Sequence, residues 1–453
     1  MGHAAPRNRA ARPRTARSAR TFPLRSGRIT ITDTSLFTPL TLPNGSTVPN
    51  RICKAAMEEN LAQQPGQYPG QRLFTLYDRW AKGGTGLILS GNVMVDPTAL
   101  TGPGAVVLEK GTDLAPFRKW AEIGKSGGGQ FWLQISHPGR QLYKSLGETA
   151  VSPSAVALDL GKFSSMFAPV RRLEATEIET IINRFADTAE AAQEAGFDGV
   201  QIHGAHGYLI SQFLSPLTNK RDDEWGGSLE NRARFLMRIV ETVRARVKLS
   251  FGVGLKLNSA DFQRGGFGAD DARQVVEWLN GHGLDFVELS GGSYESPAMQ
   301  GNPQDDAGPK NSTEAREAYF VDFARDIAKV ADMPIMVTGG ITRLEVAEAA
   351  LEHDEQGFGV EMLGIARALA SDPDLPNHWQ GQHNADVDLP QVGWSNKSLS
   401  ALAVMALTKV QIERMAAGKK PGMGGWPVKA LIADQMRAAK RAKNYRKWRA
   451  ARS

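Results

Sequence analysis

From residue 31 onward, short β-rich runs alternate with helical stretches, and this alternation constrains the fold more than any other feature of the chain. The runs are Arg51–Ala55, Gly86–Ser90, Gln130–Ile135, Gly199–His203, Phe251–Leu257, Phe286–Ser290, Pro334–Thr338 and Val360–Gly364. Between them lie helical patterns such as Thr176–Ala195, Ser228–Val247, Asp270–Asn280, Thr313–Val330 and Thr342–Glu352. The last four start at capping residues: Ser228, Asp270 or Asp271, Ser312 or Thr313, and Thr342. Strands that alternate with helices pair in parallel. Eight such units between residues 31 and 380 predict an α/β fold, a (β/α)8 barrel. An open doubly wound sheet usually carries a glycine-rich turn after its first strand. Here that strand runs into Ala56-Met57-Glu58-Glu59, without glycine.

Upstream, Phe37–Asn50 reads as a hairpin turned at Asn44-Gly45, placed to cap the barrel's N-terminal face. The connections at 101–112 and 144–170 are rich in Gly, Pro and Ser and follow strands at the opposite face, where they are candidate lids. Residues 381–453 read as an extension with one apolar helix, Leu399–Met415, and a basic tail.

The net charge of +6 misleads about partners. Residues 1–30 hold eight Arg and residues 435–453 hold eight Lys or Arg, with no acid in either. Removing those 16 from the 54 bases leaves 38 against 48 acids, so the middle of the chain is near −10. The basicity belongs to two tails, expected to be solvated and partly disordered, and no basic face or aromatic platform points to nucleic acid. A targeting peptide is the sharper alternative for residues 1–28. No apolar run is long enough to predict a membrane span. A single cysteine, Cys53, rules out an intrachain disulfide framework and a cysteine-ligated cluster, and fits a cytoplasmic setting.

Chemistry is expected where strands end. The fourth strand runs into His203-Gly-Ala-His206-Gly-Tyr208, which gathers three proton-capable side chains. The histidine spacing and the lack of a third ligand argue against a metal. Neutral histidines donating to a substrate oxygen, with Tyr208 as an acid, explain the grouping better. The seventh strand ends in Gly339-Gly340 and is followed by Thr342 and Arg343; the eighth ends in Ala366-Arg367. Barrels often hold a phosphate at this pair of strands. Gln134 and Lys256 point inward at their strand ends, suited to a pyrimidine-like edge that accumulates negative charge. The alternative for Lys256 is an ion pair with Asp261 or Glu288.

These positions together resemble the old yellow enzyme family of FMN-dependent NAD(P)H oxidoreductases. The likeness rests on Pro49-Asn-Arg-Ile-Cys-Lys-Ala-Ala-Met57, Trp80-Ala-Lys-Gly-Gly-Thr-Gly-Leu-Ile-Leu-Ser-Gly91, Gln134-Ile-Ser-His-Pro-Gly-Arg140 and Ile202-His-Gly-Ala-His-Gly-Tyr-Leu-Ile-Ser-Gln-Phe-Leu-Ser-Pro216, continued by Asn219–Arg232. It spans about Leu36 to Trp379. The resemblance implies a (β/α)8 barrel with non-covalent FMN and NAD(P)H as hydride donor. It places Ala55, Ala56, Met57, Glu58, Gly91 and Gln134 beside the flavin and Lys256 near its N1 side. Gly339, Gly340, Ala366 and Arg367 would hold the phosphate, His203 and His206 the substrate's oxygen, and Tyr208 the proton. The implied substrate is a small activated alkene, such as an α,β-unsaturated carbonyl. The alternatives are a flavin oxidase or dehydrogenase using oxygen or quinone, and a non-catalytic flavin-binding protein. A homo-oligomer is left open. Two departures stand out: Glu58 occupies a position where many relatives have Cys or Thr, and Ala366 one where they usually have Gly.

Overall fold

The computed structural model describes residues 36–292, 295, 313–381, 385–422 and 425–452. The basic segment 1–30 and most of the 293–312 connection lie outside the described residues. Eight parallel strands form the centre: β1 Ile52–Lys54, β2 Leu87–Met94, β3 Gln130–Ser136, β4 Gly199–Gly204, β5 Gly252–Asn258, β6 Phe286–Ser290, β7 Ile335–Thr338 and β8 Met362–Ile365. They pair in chain order, and β1 closes the ring by pairing with both neighbours, Cys53 with Leu87 and Ile52 with Leu363. The main barrel helices are α1 Gln71–Ala81, α2 Ala115–Gly124, α3 Ala175–Glu194, α4 Leu229–Arg246, α5 Ala269–Leu279, α6 Thr313–Ala328, α7 Leu344–Ala350 and α8 Leu375–Gln380. The architecture is the expected (β/α)8 barrel, and closure leaves its eight-stranded ring without a free edge.

Most expected boundaries shift by one or two residues; β2 shifts more. A register irregularity between Leu89 and Asn92 carries β2 on to Met94. The α4 cap is Ser228, whose hydroxyl accepts the Asn231 N–H at 3.3 Å. The α5 cap is Gly268 rather than Asp270 or Asp271; the Asp271 carboxylate instead accepts the Gly268 N–H.

Period-two alternation sorts each strand into two faces. Ile, Val and Leu point outward against the helices in one large core. Inward, at the N-terminal end, Cys53, Leu87, Leu89, Trp132, Phe286, Met336 and Met362 form a separate apolar plug. The Trp132 and Phe286 rings meet at a tilt of 36° with their centres 5.2 Å apart. Both need glycine opposite them. A Cβ on Gly252 would sit 2.1 Å from the Trp132 ring, and one on Gly254 would sit 2.7 Å from the Phe286 ring. The hairpin, Leu40–Thr41 paired with Thr47–Val48, closes this end with Leu40, Leu42 and Val48. It is fastened by the Asn44 N–H, which donates to Asp285 at 2.7 Å.

The C-terminal tail is not the solvated chain that its charge suggested. After α9 Lys397–Ala416, residues Pro427–Ala450 form a second long helix, α10. It packs on the 94–107 and 142–150 segments through fully buried Tyr445 and Ala442. The Tyr445 hydroxyl donates to the Pro97 carbonyl at 2.9 Å and lies 3.1 Å from Glu148. Its basic residues meet acids of the −10 body: Arg449 with Glu148 at 2.8 Å, Arg452 with Glu109 at 2.6 Å and Arg441 with Glu413 at 2.8 Å. Counting charge alone missed this because the Ala442–Tyr445 face is short. These half-buried to exposed pairs are partly screened by solvent and contribute little each, so the buried ring should dominate. Tyr445→Ala is expected to lower unfolding stability by about 3–5 kcal/mol, measured by denaturant titration; a loss below about 1 kcal/mol would show α10 to be only loosely applied. Among the described residues no helix is long and apolar enough to cross a membrane.

Candidate active site

A cavity of about 250 Å³ opens at the C-terminal end of the barrel. Strand ends from most of the ring bring eight of the expected residues to it: Ala56, His206, Tyr208, Lys256, Gly339, Gly340, Ala366 and Arg367. Ser290, Thr338 and Thr342 complete its polar lining. A Cβ on Gly339 would meet nothing within 4 Å, so the backbone there borders open space. Ala366 has φ −111°, outside the left-handed region that favours glycine. Helix α7 begins at Leu344 with Arg343 as its cap; Thr342 is left to face the cavity.

The other expected residues are not among the residues that line this cavity. The Ala55 N–H donates to Ile365 in the barrel ladder at 2.9 Å. Gln134 is buried, its amide donating to Gln201 at 2.7 Å. Gly91 has its N–H on the Tyr77 hydroxyl at 3.0 Å. A Cβ on Gly91 would sit 2.2 Å from the Met57 carbonyl oxygen, so close packing alone demands glycine there. Glu58 lines a separate void of about 10 Å³ with Asn60, Gly91 and Asn92, room for about one water. Its buried Oε1 has no hydrogen-bond partner and lies 3.0 Å from where a Gly102 Cβ would stand.

His203, on β4, is buried with its ring centre 5.1 Å from that of His206 and 4.9 Å from that of Tyr208. Its Nδ1 accepts the Ala205 N–H at 3.3 Å, which assigns the ring proton to Nε2. His206 takes φ 60°, and its Nε2 is 2.7 Å from the Ser290 hydroxyl. Tyr208 caps the short helix Leu209–Leu214. Burial holds His203 well below the ordinary histidine range, with His206 and Lys256 pushing the same way. Burial and the Lys256 charge push His206 down to about 3. Burial likewise takes His137, on the loop after β3, down to about 4. All three imidazoles are neutral at physiological pH.

An unfolded histidine takes up its proton near pH 6.5, and the folded ones resist it. The unfolded state therefore binds more protons between about pH 6.5 and 3, and stability falls as pH drops through that window. At pH 4.5, two units below the unfolded histidine value, His206 should cost about 2.7 kcal/mol. His206→Gln should therefore lose about 2.7 kcal/mol less than the parent between pH 7.5 and 4.5. Equal losses in denaturant titrations at the two pH values would contradict a neutral His206.

One buried ion pair was left open as an alternative in the sequence, and another was not anticipated. Lys256 is paired with Glu288 at 2.5 Å, the alternative left open for it, and it also borders the cavity. Lys54 faces outward under α1, 4.2 Å from the Trp80 ring and 2.8 Å from the Leu89 carbonyl oxygen. Its Glu59 partner, 3.5 Å away, also accepts the Tyr77 hydroxyl at 2.6 Å. Strand alternation signals both: Glu288 is two residues from inward Phe286, and Lys54 follows inward Cys53.

Residues 35–386 match the NADH:flavin oxidoreductase / NADH oxidase family. The chain is 38% identical over 380 residues to the NADH-dependent flavin oxidoreductase iliE of Hypocrea jecorina, covering 78% of this chain and 92% of that protein. It is 34% identical to an NADH oxidase of Thermoanaerobacter brockii, over 72% of this chain but 48% of that protein. Among solved structures, the old yellow enzyme homologue from Zymomonas mobilis superposes with a TM-score of 0.65 at 27% identity, covering 78% of this chain and 94% of that one. Morphinone reductase, at 24% identity and a TM-score of 0.62, shares the fold over 79% of this chain and 92% of its own. With the barrel, its cavity and these matches in agreement, the chain belongs to the NADH:flavin oxidoreductase / NADH oxidase family.

Proposed function

We propose that this FMN-dependent NAD(P)H oxidoreductase reduces the carbon–carbon double bond of α,β-unsaturated carbonyls and similar electron-poor alkenes, with Tyr208 as proton donor. The observation that carries the reading is one cavity that joins two kinds of lining. Thr342, Arg367 and the open backbone at Gly339 and Gly340 lie with His206, Tyr208 and Lys256 in the same space. That donor set fits FMN: glycine backbone and a guanidinium for the phosphate, an ammonium for the pyrimidine edge. When bound, FMN supplies the two-electron chemistry that links NAD(P)H to the alkene.

The chain's own residues do the rest. Arg367 and the 339–340 backbone would hold the phosphate, and Lys256 would meet the ring's electron-rich edge. The His203 Nε2–H is aimed by the Ala205 amide and, with His206, supplies neutral donors to the substrate's carbonyl oxygen. Donors fixed before reaction stabilise charge as it develops there. The Tyr208 hydroxyl delivers a proton to the α-carbon, and its place at a helix cap fixes it beside both rings. Substrate choice falls to the segments at 101–112 and 144–170.

Anaerobic reduction by NADPH or NADH, followed by mixing with cyclohexenone, maleimide or oxygen, tests the reading. Fast reoxidation by the two alkenes supports it. Reoxidation by oxygen alone, with both alkenes inert, replaces it with an oxidase.

A further inference from the structure

Just beneath the cavity, the barrel holds a charge that no catalytic step uses. Glu288 sits fully buried in the middle of β6, between inward Phe286 below and Ser290 above. Its Oε1 accepts hydrogen bonds from Lys256 Nζ and from the Thr338 hydroxyl, each at 2.5 Å. Its Oε2 accepts one from Gln201 Nε2 at 2.6 Å. Gln201 in turn accepts from Gln134 at 2.7 Å. Five inward side chains on β3 to β7 thus form one network. Only Lys256 and Thr338 reach the cavity; Glu288 does not line it. Burying such a pair is costly and gains little stability over an apolar core. Its place directly under the site points to function.

We propose that Glu288 is a positioning residue that sets the charge presented to the cofactor, by holding the Lys256 ammonium in place and cancelling most of its field. This rests on the reading that FMN lies over Lys256. Reducing a flavin adds electrons to its pyrimidine edge. A lone ammonium there favours the added charge strongly, whereas a neutral pair favours it much less. Glu288 therefore keeps the reduction potential low and the reduced cofactor a ready hydride donor. Thr338 and Gln201 serve the same end, since they satisfy the carboxylate and keep it in register with β5.

The test uses full-length, FMN-loaded E288Q, K256M and the K256M/E288Q double variant. Two quantities are read: the potential by anaerobic redox titration, and sulfite affinity from bleaching of the flavin's visible absorbance. Sulfite binding also puts negative charge on the ring, so it reports the same field. E288Q should bind sulfite about tenfold more tightly and raise the potential by about 30 mV, the tenfold change expressed for a two-electron couple. K256M should move both readings the other way. The double variant should return to within about threefold of the parent, because one neutral pair replaces another. Damage to the fold would instead leave the double variant further from the parent than either single. An E288Q protein that binds FMN but keeps the parental sulfite affinity and potential overturns this inference alone. A parent protein that takes up no FMN overturns the cofactor reading beneath it.

Discussion

Replacing Tyr208 with phenylalanine is expected to slow alkene reduction by about 10²–10⁴-fold, the range for loss of a general acid, and to leave reduction by NAD(P)H unchanged. The split matters more than the size. Tyr208 lines the cavity and stands with its ring 4.9 Å from that of His203, so deleting one hydroxyl leaves the packing in place. Stopped-flow measurement of the two half-reactions separates the outcomes. Equal slowing of both would mean that the phenol serves binding, and no slowing of the second would remove it from proton transfer.

His203→Ala should lower the alkene half-reaction by about 10²–10³-fold, the cost of one pre-aligned oxyanion donor. The Ala205 amide on Nδ1 makes Nε2 the donor regardless of pH within the working range. His206→Ala should cost less, because its Nε2 is already shared with the Ser290 hydroxyl. The ratio of the two variants in kcat/KM for a single enone checks this order; a larger loss at His206 would reverse the assignment of the principal donor. Burial keeps both rings neutral, so neither loss should depend on pH between about 5 and 8.

The barrel was legible because its signals are local. Val200 and Ile202 alternate with Gln201 and His203, and Ser228 announces a helix, within windows that a sequence shows directly. The cavity end at Gly339, Gly340 and Arg367 was legible for the same reason, as was the His203–Tyr208 turn. What escaped depends on where chain ends and strand faces meet. Gly91 reads as a flavin contact from its motif, yet its N–H is taken by Tyr77 and its missing side chain makes room for Met57. Lys54 looks like one more surface base until alternation on β1 turns it under α1 beside Glu59. The tail around Tyr445 looks solvated because no spacing records the acids at 109, 148 and 413 that receive it.

The docking of α10 also bears on how the molecule assembles. Barrel closure joins Arg51 to Glu361 across 310 residues of chain, and Tyr445 reaches Pro97 across 348. Contacts of such sequence separation form late and slowly, after local strand–helix units have collapsed. During synthesis the 94–107 and 142–150 segments therefore lack their packing partner until α10 has been made. The loops at 97–109 and 144–148 acquire their final support only then. A product that stopped before α10 would leave the 94–107 and 142–150 segments without the buried Tyr445 and Ala442 that pack on them.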